Sequence, residues 1–135
     1  MLTRQYLEDL EYRVTGACIE VHKRLEPGLL ESVYHQCLSK ELEFRNILFS
    51  SEHIVNVTYR DLELDTLLRA DFLVDGVLIV EIKAVEVVLP IHKAQILTYM
   101  KLLEAPKGLL INFNCANIIH QGKKSFVNDL YRYIS

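Results

Sequence analysis

The amino-acid sequence predicts an α/β domain with a mixed β-sheet flanked by helices. Apolar residues recur every three or four positions before residue 45 and again after Pro90, whereas between residues 52 and 83 they follow a period of two. The resulting order is helix, helix, three strands, helix, strand, which is typical of an α/β domain. A length of 135 residues and a hydrophobic content of 50% suit one core, so we expect a single domain over residues 1–135.

Two amphipathic helices are predicted before the sheet begins. Over residues 6–25 the apolar positions recur at three- and four-residue steps, so they share one helix face. The Glu26-Pro27-Gly28 tripeptide interrupts this helix, because proline and glycine favour turns. A second apolar stripe predicts a helix over residues 29–45.

Three strands follow, and the last two form a hairpin. Residues 52–60 are rich in β-branched side chains and predict the first strand. Residues 67–74 and 77–83 predict the next two strands. The Asp75-Gly76 pair between them is a strong signal for a tight hairpin turn.

The helical period returns after Pro90. It predicts a helix over residues 91–103, and the apolar run at 108–114 then predicts a short buried strand. This strand–helix–strand unit should cross over right-handed, so its two strands are parallel if they share the sheet. Residues 118–134 predict another short strand and a terminal helix.

Composition restricts the function classes. The apolar runs are too short to cross a bilayer and the first residues lack the apolar core of a signal peptide, so we expect a cytoplasmic protein without membrane contact. Three widely spaced cysteines fit a reducing compartment and show no zinc spacing. A net charge of −3 is unfavourable for a nucleic-acid-binding protein unless basic residues cluster on one side. Candidates for such a cluster are Lys93, Lys101, Lys107, Lys123, Lys124 and Arg132.

The predicted hairpin carries charged residues among apolar ones. Asp71, Glu81 and Lys83 lie on or beside its strands, and Glu81 and Lys83 point to the same face because they are two residues apart. Two carboxylates and an ammonium group at one place suit a divalent cation and an activated water. The residues alone leave a second interpretation open, in which Asp71 pairs with Arg69 or Lys83, and Glu81 with Lys83.

The hairpin turn decides whether the two carboxylates can meet. A two-residue turn would set Ala70 opposite Glu81 and place Asp71 on the wrong side of the sheet. A three-residue loop with Gly76 at positive φ, or a bulge near Asp71, restores a common face. We predict one of these two arrangements.

Four motifs in this order resemble a known family. Gly28-Leu-Leu-Glu31-Ser-Val-Tyr34 matches the signature of the small proteins named for their Gly-x-x-Glu-x-x-Tyr motif, which are placed in the PD-(D/E)XK nuclease-like superfamily. The resemblance continues through Arg69-Ala-Asp71-Phe, Val80-Glu81-Ile-Lys83-Ala and Gln95-Ile-Leu-Thr-Tyr99, and covers residues 14–114.

The resemblance implies a restriction-endonuclease-like αβββαβ core with a divalent-metal site. On this interpretation Asp71 and Glu81 hold Mg²⁺ or Mn²⁺, and the carbonyl of Ile82 is a further ligand. Lys83 orients or helps to deprotonate the attacking water and stabilises charge on the phosphoryl oxygens, with a lysine that merely extends to solvent as the alternative.

The first signature adds two residues on the second helix. Glu31 is expected to hold a metal-bound water or a second cation, although an acid in the first turn is also favoured by the helix dipole. Tyr34, three residues later, is grouped with the substrate-binding residues, and we expect it to pack in the core while its hydroxyl braces the site.

The third helix supplies a second set. Gln95 and Tyr99 share a face at i and i+4, so the neutral amide of Gln95 can orient water or bind a phosphate; an exposed amide beside a core tyrosine is the alternative. His92 and Lys93, at the start of this helix, are expected to contact a backbone phosphate.

Together these residues predict a metal-dependent nuclease that hydrolyses nucleic acid, with DNA favoured, by a metal-activated water. The competing hypothesis is a module that binds nucleic acid or a protein on the same fold without cutting. We expect a homodimer or a larger complex, because many enzymes of this superfamily act in that way.

Overall fold

The computed structural model describes residues 1–64 and 66–135. Two helices begin the chain and a five-stranded sheet follows, with one helix crossing over it. The helices are α1 (Arg4–Leu25), α2 (Glu31–Phe44), α3 (Pro90–Leu102) and α4 (Asp129–Arg132). The strands are β1 (Phe49–Val55), β2 (Thr58–Tyr59), β3 (Leu62–Glu63), β4 (Leu68–Val74), β5 (Leu78–Lys83), β6 (Lys107–Asn112) and β7 (Lys123–Val127).

The sheet is mixed, as the sequence predicts. Its strand order is β1-β4-β5-β6-β7, and β2 pairs only with β3 in a separate hairpin. Strands β5 and β6 are parallel, and the other neighbouring pairs in the large sheet are antiparallel. The predicted parallel crossover through α3 is therefore confirmed. Since β5 and β6 run side by side, Lys83 and Asn112 lie next to each other at their carboxyl ends.

The predicted first strand is the largest error in the element boundaries. The sequence predicts one strand over residues 52–60, but β1 begins three residues earlier and ends at Val55, where its pairing with β4 ends. The chain then enters a separate hairpin that turns at Arg60, whose φ is +57°. Pairing with β4 sets the limits of β1, and local β-propensity carries no record of that partner.

The tail and the strand before it also differ in detail. The predicted short strand and terminal helix are confirmed as β7 and α4, but a single π-helical turn, Ile118–Gly122, precedes them. Strand β6 ends at Asn112; Phe113 N still donates to Lys83 O, but Asn114 N turns back to Asn112 Oδ1. Within the described part of the chain, no helix is both long and apolar enough to cross a membrane.

Apolar residues fill two cores, one on each face of the sheet. The first lies between the sheet and α1 and α2, and the second lies under α3. Phe72 belongs to the first core and Ala70 to the second, although strict alternation would put both on one face. The change of face therefore falls at Asp71. The β1–β4 register pairs Ser51 with Phe72 and His53 with Ala70 but has no pair between them, and Glu52 takes a φ of +50° at this level.

Candidate metal and active site

The hairpin turn brings Asp71 level with Glu81. Val74 pairs with Leu78, so the loop has three residues, and Gly76 takes a φ of +70°. One of the two predicted arrangements, the three-residue loop, is thus confirmed, and glycine at position 76 makes the positive φ inexpensive. Counting back along both strands places the two carboxylates opposite each other.

Where the backbone ladder between β4 and β5 ends, the side chains of Asp71 and Glu81 accept hydrogen bonds from the opposite strand. The last paired residues are Phe72 and Val80. Beyond them Asp71 N donates to Glu81 Oε2 at 2.6 Å, and Ile82 N donates to Asp71 Oδ2 at 2.8 Å. Each carboxylate therefore has one oxygen fixed by the opposite strand, and the two side chains also lie within hydrogen-bonding reach of each other.

The ion-pair interpretation of these carboxylates is not supported. Within residues 1–64 and 66–135, no lysine, arginine or histidine nitrogen lies within 4.0 Å of Asp71 or Glu81. Arg69, one of the expected partners, instead lies 4.0 Å from Glu52. The negative charge of the pair is thus not balanced by a direct contact.

The pKa of Glu81 is shifted by its burial and by the neighbouring carboxylate. The side chain is buried, with only 6% exposure. Burial, followed by the charge of Asp71, raises the pKa of Glu81 to about 8. The neighbouring charge of Lys83 acts in the opposite direction but does not compensate. A carboxylate pair of this kind holds a proton near neutral pH, unless a cation takes the place of that proton.

The donor set fits a hard divalent cation with few protein ligands. Carboxylate and carbonyl oxygens are what Mg²⁺ and Mn²⁺ prefer, and Mg²⁺ commonly keeps several waters while binding only one or two carboxylates. Among the described residues no group of three His, Cys, Asp or Glu side chains lies close enough to hold a metal. Asp71 and Glu81 thus form a pair of carboxylates rather than a cluster of three acidic, histidine or cysteine side chains.

The direction of the Ile82 carbonyl follows from the hydrogen bonds of Ile82 and Lys83. Ile82 N donates to Asp71 on β4, whereas Lys83 O accepts from Phe113 N beyond β6. Successive residues of a strand direct their N–H and C=O groups to alternate sides, so Ile82 O faces β4 beyond the end of its ladder. This direction agrees with the ligand predicted from the sequence.

Glu31 lies close enough to Lys83 and Asp71 for their charges to change its pKa. Burial raises the pKa of Glu31; the charge of Lys83 lowers it and that of Asp71 raises it. Glu31 is the first residue of α2, so the helix dipole interpretation also holds for it. The two interpretations are compatible, because the helix start faces the carboxylate pair.

Tyr34 is a core residue that braces the turn before α2. It has no exposed surface, and its ring stacks on Phe113 with the centroids 4.6 Å apart. Its hydroxyl donates to Glu26 O at 2.5 Å and accepts from Leu29 N at 3.2 Å. The ring packs in the core as predicted and its hydroxyl braces the turn before α2, whereas its grouping with the substrate-binding residues does not fit a fully buried ring.

Gln95 and Tyr99 share the α3 face toward the carboxylates. Gln95 Nε2 donates to Tyr99 Oη at 3.2 Å. Burial and then the charge of Glu81 raise the pKa of the Tyr99 phenol, which places it near the pair. Gln95 is exposed, so its amide oxygen remains available beside the site.

His92 and Lys93 lie at the start of α3. His92 Nδ1 accepts from Leu89 N at 3.1 Å and so caps the helix, which leaves Nε2 for another partner. The charge of His92 also lowers the pKa of Glu31, so the two residues are near each other. Lys93 is half-buried.

Two site residues were not predicted from the sequence. His35 stacks on Phe72 with the ring centroids 4.4 Å apart, contacts Ser51 Oγ at 2.8 Å and lowers the pKa of Glu31. Its position one helical turn after Glu31 was the available signal. Asn112, buried in β6, binds both Val85 N and Val85 O and so fixes the chain that leaves Lys83. The sequence signal for Asn112 was a single amide side chain within an otherwise apolar strand.

The fold and the paired carboxylates define a restriction-endonuclease-like α/β domain with a site suited to a divalent cation. The family model described as the PD-(D/E)XK nuclease superfamily matches residues 8–125, and the chain belongs to this superfamily. No curated protein and no solved structure matches the chain.

Proposed function

We propose that this protein is a divalent-metal-dependent nuclease that hydrolyses phosphodiester bonds, with DNA as its substrate, and that it belongs to the Gly-x-x-Glu-x-x-Tyr group of the superfamily. The observation that carries the proposal is the Asp71–Glu81 pair, which is fixed by two reciprocal backbone hydrogen bonds and has no cationic partner within 4.0 Å among the described residues. The two carboxylates are held in fixed positions, and no neighbouring cationic side chain in the described part of the chain neutralises their negative charge. Both properties favour the binding of a catalytic cation.

Asp71, Glu81 and the Ile82 carbonyl would hold Mg²⁺ or Mn²⁺. When bound, this cation would polarise the phosphodiester and lower the pKa of a water. It would also displace the proton that the pair otherwise holds, so metal binding releases protons near neutral pH.

The remaining side chains serve the substrate and the attacking water. Lys83, near the pair, helps to deprotonate the water and stabilises the developing charge on phosphoryl oxygens. Glu31 and the Gln95 amide position the water and a phosphate oxygen, while His92 Nε2 and Lys93 contact the nucleic-acid backbone. Tyr34 acts indirectly, since it fixes the turn that presents Glu31.

The three cysteines are free thiols, and Cys18 is fully buried. Burial raises the pKa of Cys18 to about 12, so it behaves as a small apolar core residue. These unpaired thiols support the proposal that the enzyme works in the reducing cytoplasm.

The first experiment is a calorimetric titration with Mn²⁺, in the absence and then in the presence of a DNA duplex. We expect binding to the wild type that is lost in Asp71→Asn and Glu81→Gln. The matched control is Glu43→Gln, which neutralises an exposed carboxylate at the other end of α2 and should bind as the wild type does. If the wild type binds no metal under either condition, the proposal is wrong.

A cleavage assay separates the nuclease from a module that binds nucleic acid without cutting. With Mg²⁺ or Mn²⁺ present, Lys83→Met should retain metal binding and lose about 10²–10⁴-fold in kcat, as expected for a group that assists proton transfer. Salt-dependent DNA binding without cleavage by the wild type would instead establish the binding module.

A further inference from the structure

A concave region lined by residues other than the carboxylate pair lies beside α1. It is formed by α1, the segment after α2, and the sheet edge at β6 and β7, and it has a volume of about 810 Å³. Pockets for small molecules usually occupy roughly 300–1,000 Å³. None of its lining residues belongs to the candidate active site.

The wall of this cavity is positively charged. Glu11 accepts from Lys107 Nζ at 3.0 Å and from Lys123 Nζ at 2.6 Å. The Lys107 side chain is only 8% exposed and its ammonium otherwise faces the Tyr131 ring, with 5.2 Å to the ring centroid. One carboxylate thus serves two ammonium groups, which leaves a positive charge in a partly dehydrated place.

Arginine adds to this charge. Arg13 and Arg45 both line the cavity, against Glu8 as the only other carboxylate among the described lining residues. Arg45 also pairs with Glu41 at 2.8 Å, outside the lining. A Cβ added at Gly16 would meet Arg45 Nη1 at 3.1 Å, so glycine allows the guanidinium to lie against α1.

In the described chain, one buried hydroxyl beside the wall lacks a hydrogen-bond partner. Thr15, 5% exposed, lies one helical turn after Glu11 and lines the cavity. Its hydroxyl is the one buried side-chain oxygen or nitrogen without a hydrogen bond in the part of the chain that the structure describes. Native proteins usually pair such a group, so this hydroxyl is a candidate hydrogen-bond donor beside the cavity.

The rest of the wall is apolar. Tyr12, Ile19, Ile47 and Ile119 contribute to it. A free inorganic anion would satisfy the cations but leave this apolar surface in contact with water.

We propose that this cavity binds a small phosphate monoester with an aromatic or apolar body. A phosphate monoester is a dianion near pH 7 and accepts from several donors at once, which matches the four cationic groups and the Thr15 hydroxyl better than a carboxylate does. The inference is independent of the nuclease proposal, because it uses none of the same residues.

The experiment is calorimetry at low salt with phenyl phosphate, inorganic phosphate and benzoate, in a chelator-containing buffer that excludes the metal site. We expect phenyl phosphate to bind at least tenfold more tightly than either of the other two. Lys123→Met should weaken binding at least tenfold, whereas the matched control Lys124→Met, which changes the exposed neighbour on β7, should not. Asp71→Asn should bind phenyl phosphate as the wild type does.

Thr15→Val gives a second and independent test. It removes the unpartnered hydroxyl without changing the shape, so the melting temperature of the ligand-free protein should rise while affinity for phenyl phosphate falls severalfold. Absence of phenyl phosphate binding, or equal losses in Lys123→Met and Lys124→Met, would overturn the proposal. Unchanged affinity in Thr15→Val would exclude the hydroxyl from the site.

Discussion

Glutamates lie in two dehydrated places in this protein, and their neighbours differ. At the end of the β4–β5 ladder, Glu81 lies beside Asp71, with no cationic nitrogen within 4.0 Å among the described residues. On the wall formed by α1, β6 and β7, Glu11 receives both Lys107 and Lys123. Burial and the charge of Asp71 raise the pKa of Glu81, whereas at Glu11 the two lysines outweigh the effect of burial and lower the pKa.

The difference teaches that burial alone does not predict what a carboxylate does. Burial acts in the same direction on both groups, so the neighbours determine the outcome. The first place has excess negative charge and suits a cation, while the second has excess positive charge and suits an anion. The net charge of −3 conceals both, because opposite local excesses cancel in the total.

The largest expected effect tests the cationic wall. Glu11→Gln should destabilise the protein by roughly 3–5 kcal/mol, because it leaves the buried Lys107 ammonium without its partner. Urea denaturation at pH 7 measures the change in the free energy of unfolding. Glu8→Gln is the matched control, since this exposed carboxylate lines the same cavity and its loss should change stability by less than about 0.5 kcal/mol. Equal effects of the two substitutions would refute the comparison.

The second prediction concerns the carboxylate pair. The pKa of Glu81 in the folded protein is about 8, above its ordinary value of 4.5, so between these values the folded state binds more protons than the unfolded state. The contribution of this group to stability is therefore complete below about pH 4.5 and is lost as the pH rises through about 8. In metal-free buffer the loss should be on the order of a few kcal/mol.

Glu81→Gln isolates this contribution. The variant cannot ionise at this position, so its stability should fall less between pH 5 and pH 8 than that of the wild type, and it should be the more stable protein at pH 8. Urea denaturation across this pH range provides the measurement. Parallel pH profiles for the two proteins would show that the folded protein does not hold the extra proton.

Much of the backbone geometry around the candidate site could be predicted because its information is local. Asp75-Gly76 indicates the turn, the spacing of Glu81 and Lys83 gives their common face, and the shared face of Gln95 and Tyr99 follows from one helix. The strand–helix–strand order predicted the parallel pairing of β5 and β6, which is confirmed. Each of these inferences needs only a few neighbouring residues or the order of the elements.

The remaining features depend on contacts between distant segments. Glu11 meets Lys107 and Lys123 only after the sheet has formed, and neither helical nor strand periodicity reports such a contact. The change of side-chain direction at Asp71 lies where the β1–β4 register has no pair and Glu52 takes a positive φ, so it involves two strands that are distant in the sequence. His35 joins the site through stacking on Phe72, which the helix sequence alone does not reveal.

The smallest expected effect concerns the turn before α2, which positions Glu31. Tyr34→Phe keeps the stacking on Phe113 but removes the hydroxyl that bridges Glu26 O and Leu29 N. Loss of these neutral hydrogen bonds should cost about 1–2 kcal/mol of stability. Because the turn presents Glu31 and not the carboxylate pair, Mn²⁺ affinity should stay within about twofold while kcat on DNA falls. Tyr133→Phe, at an 82% exposed tyrosine, serves as the control. A loss of Mn²⁺ affinity as large as the loss of kcat would mean that the turn supports the carboxylates themselves, and that the two halves of the site are one structural unit.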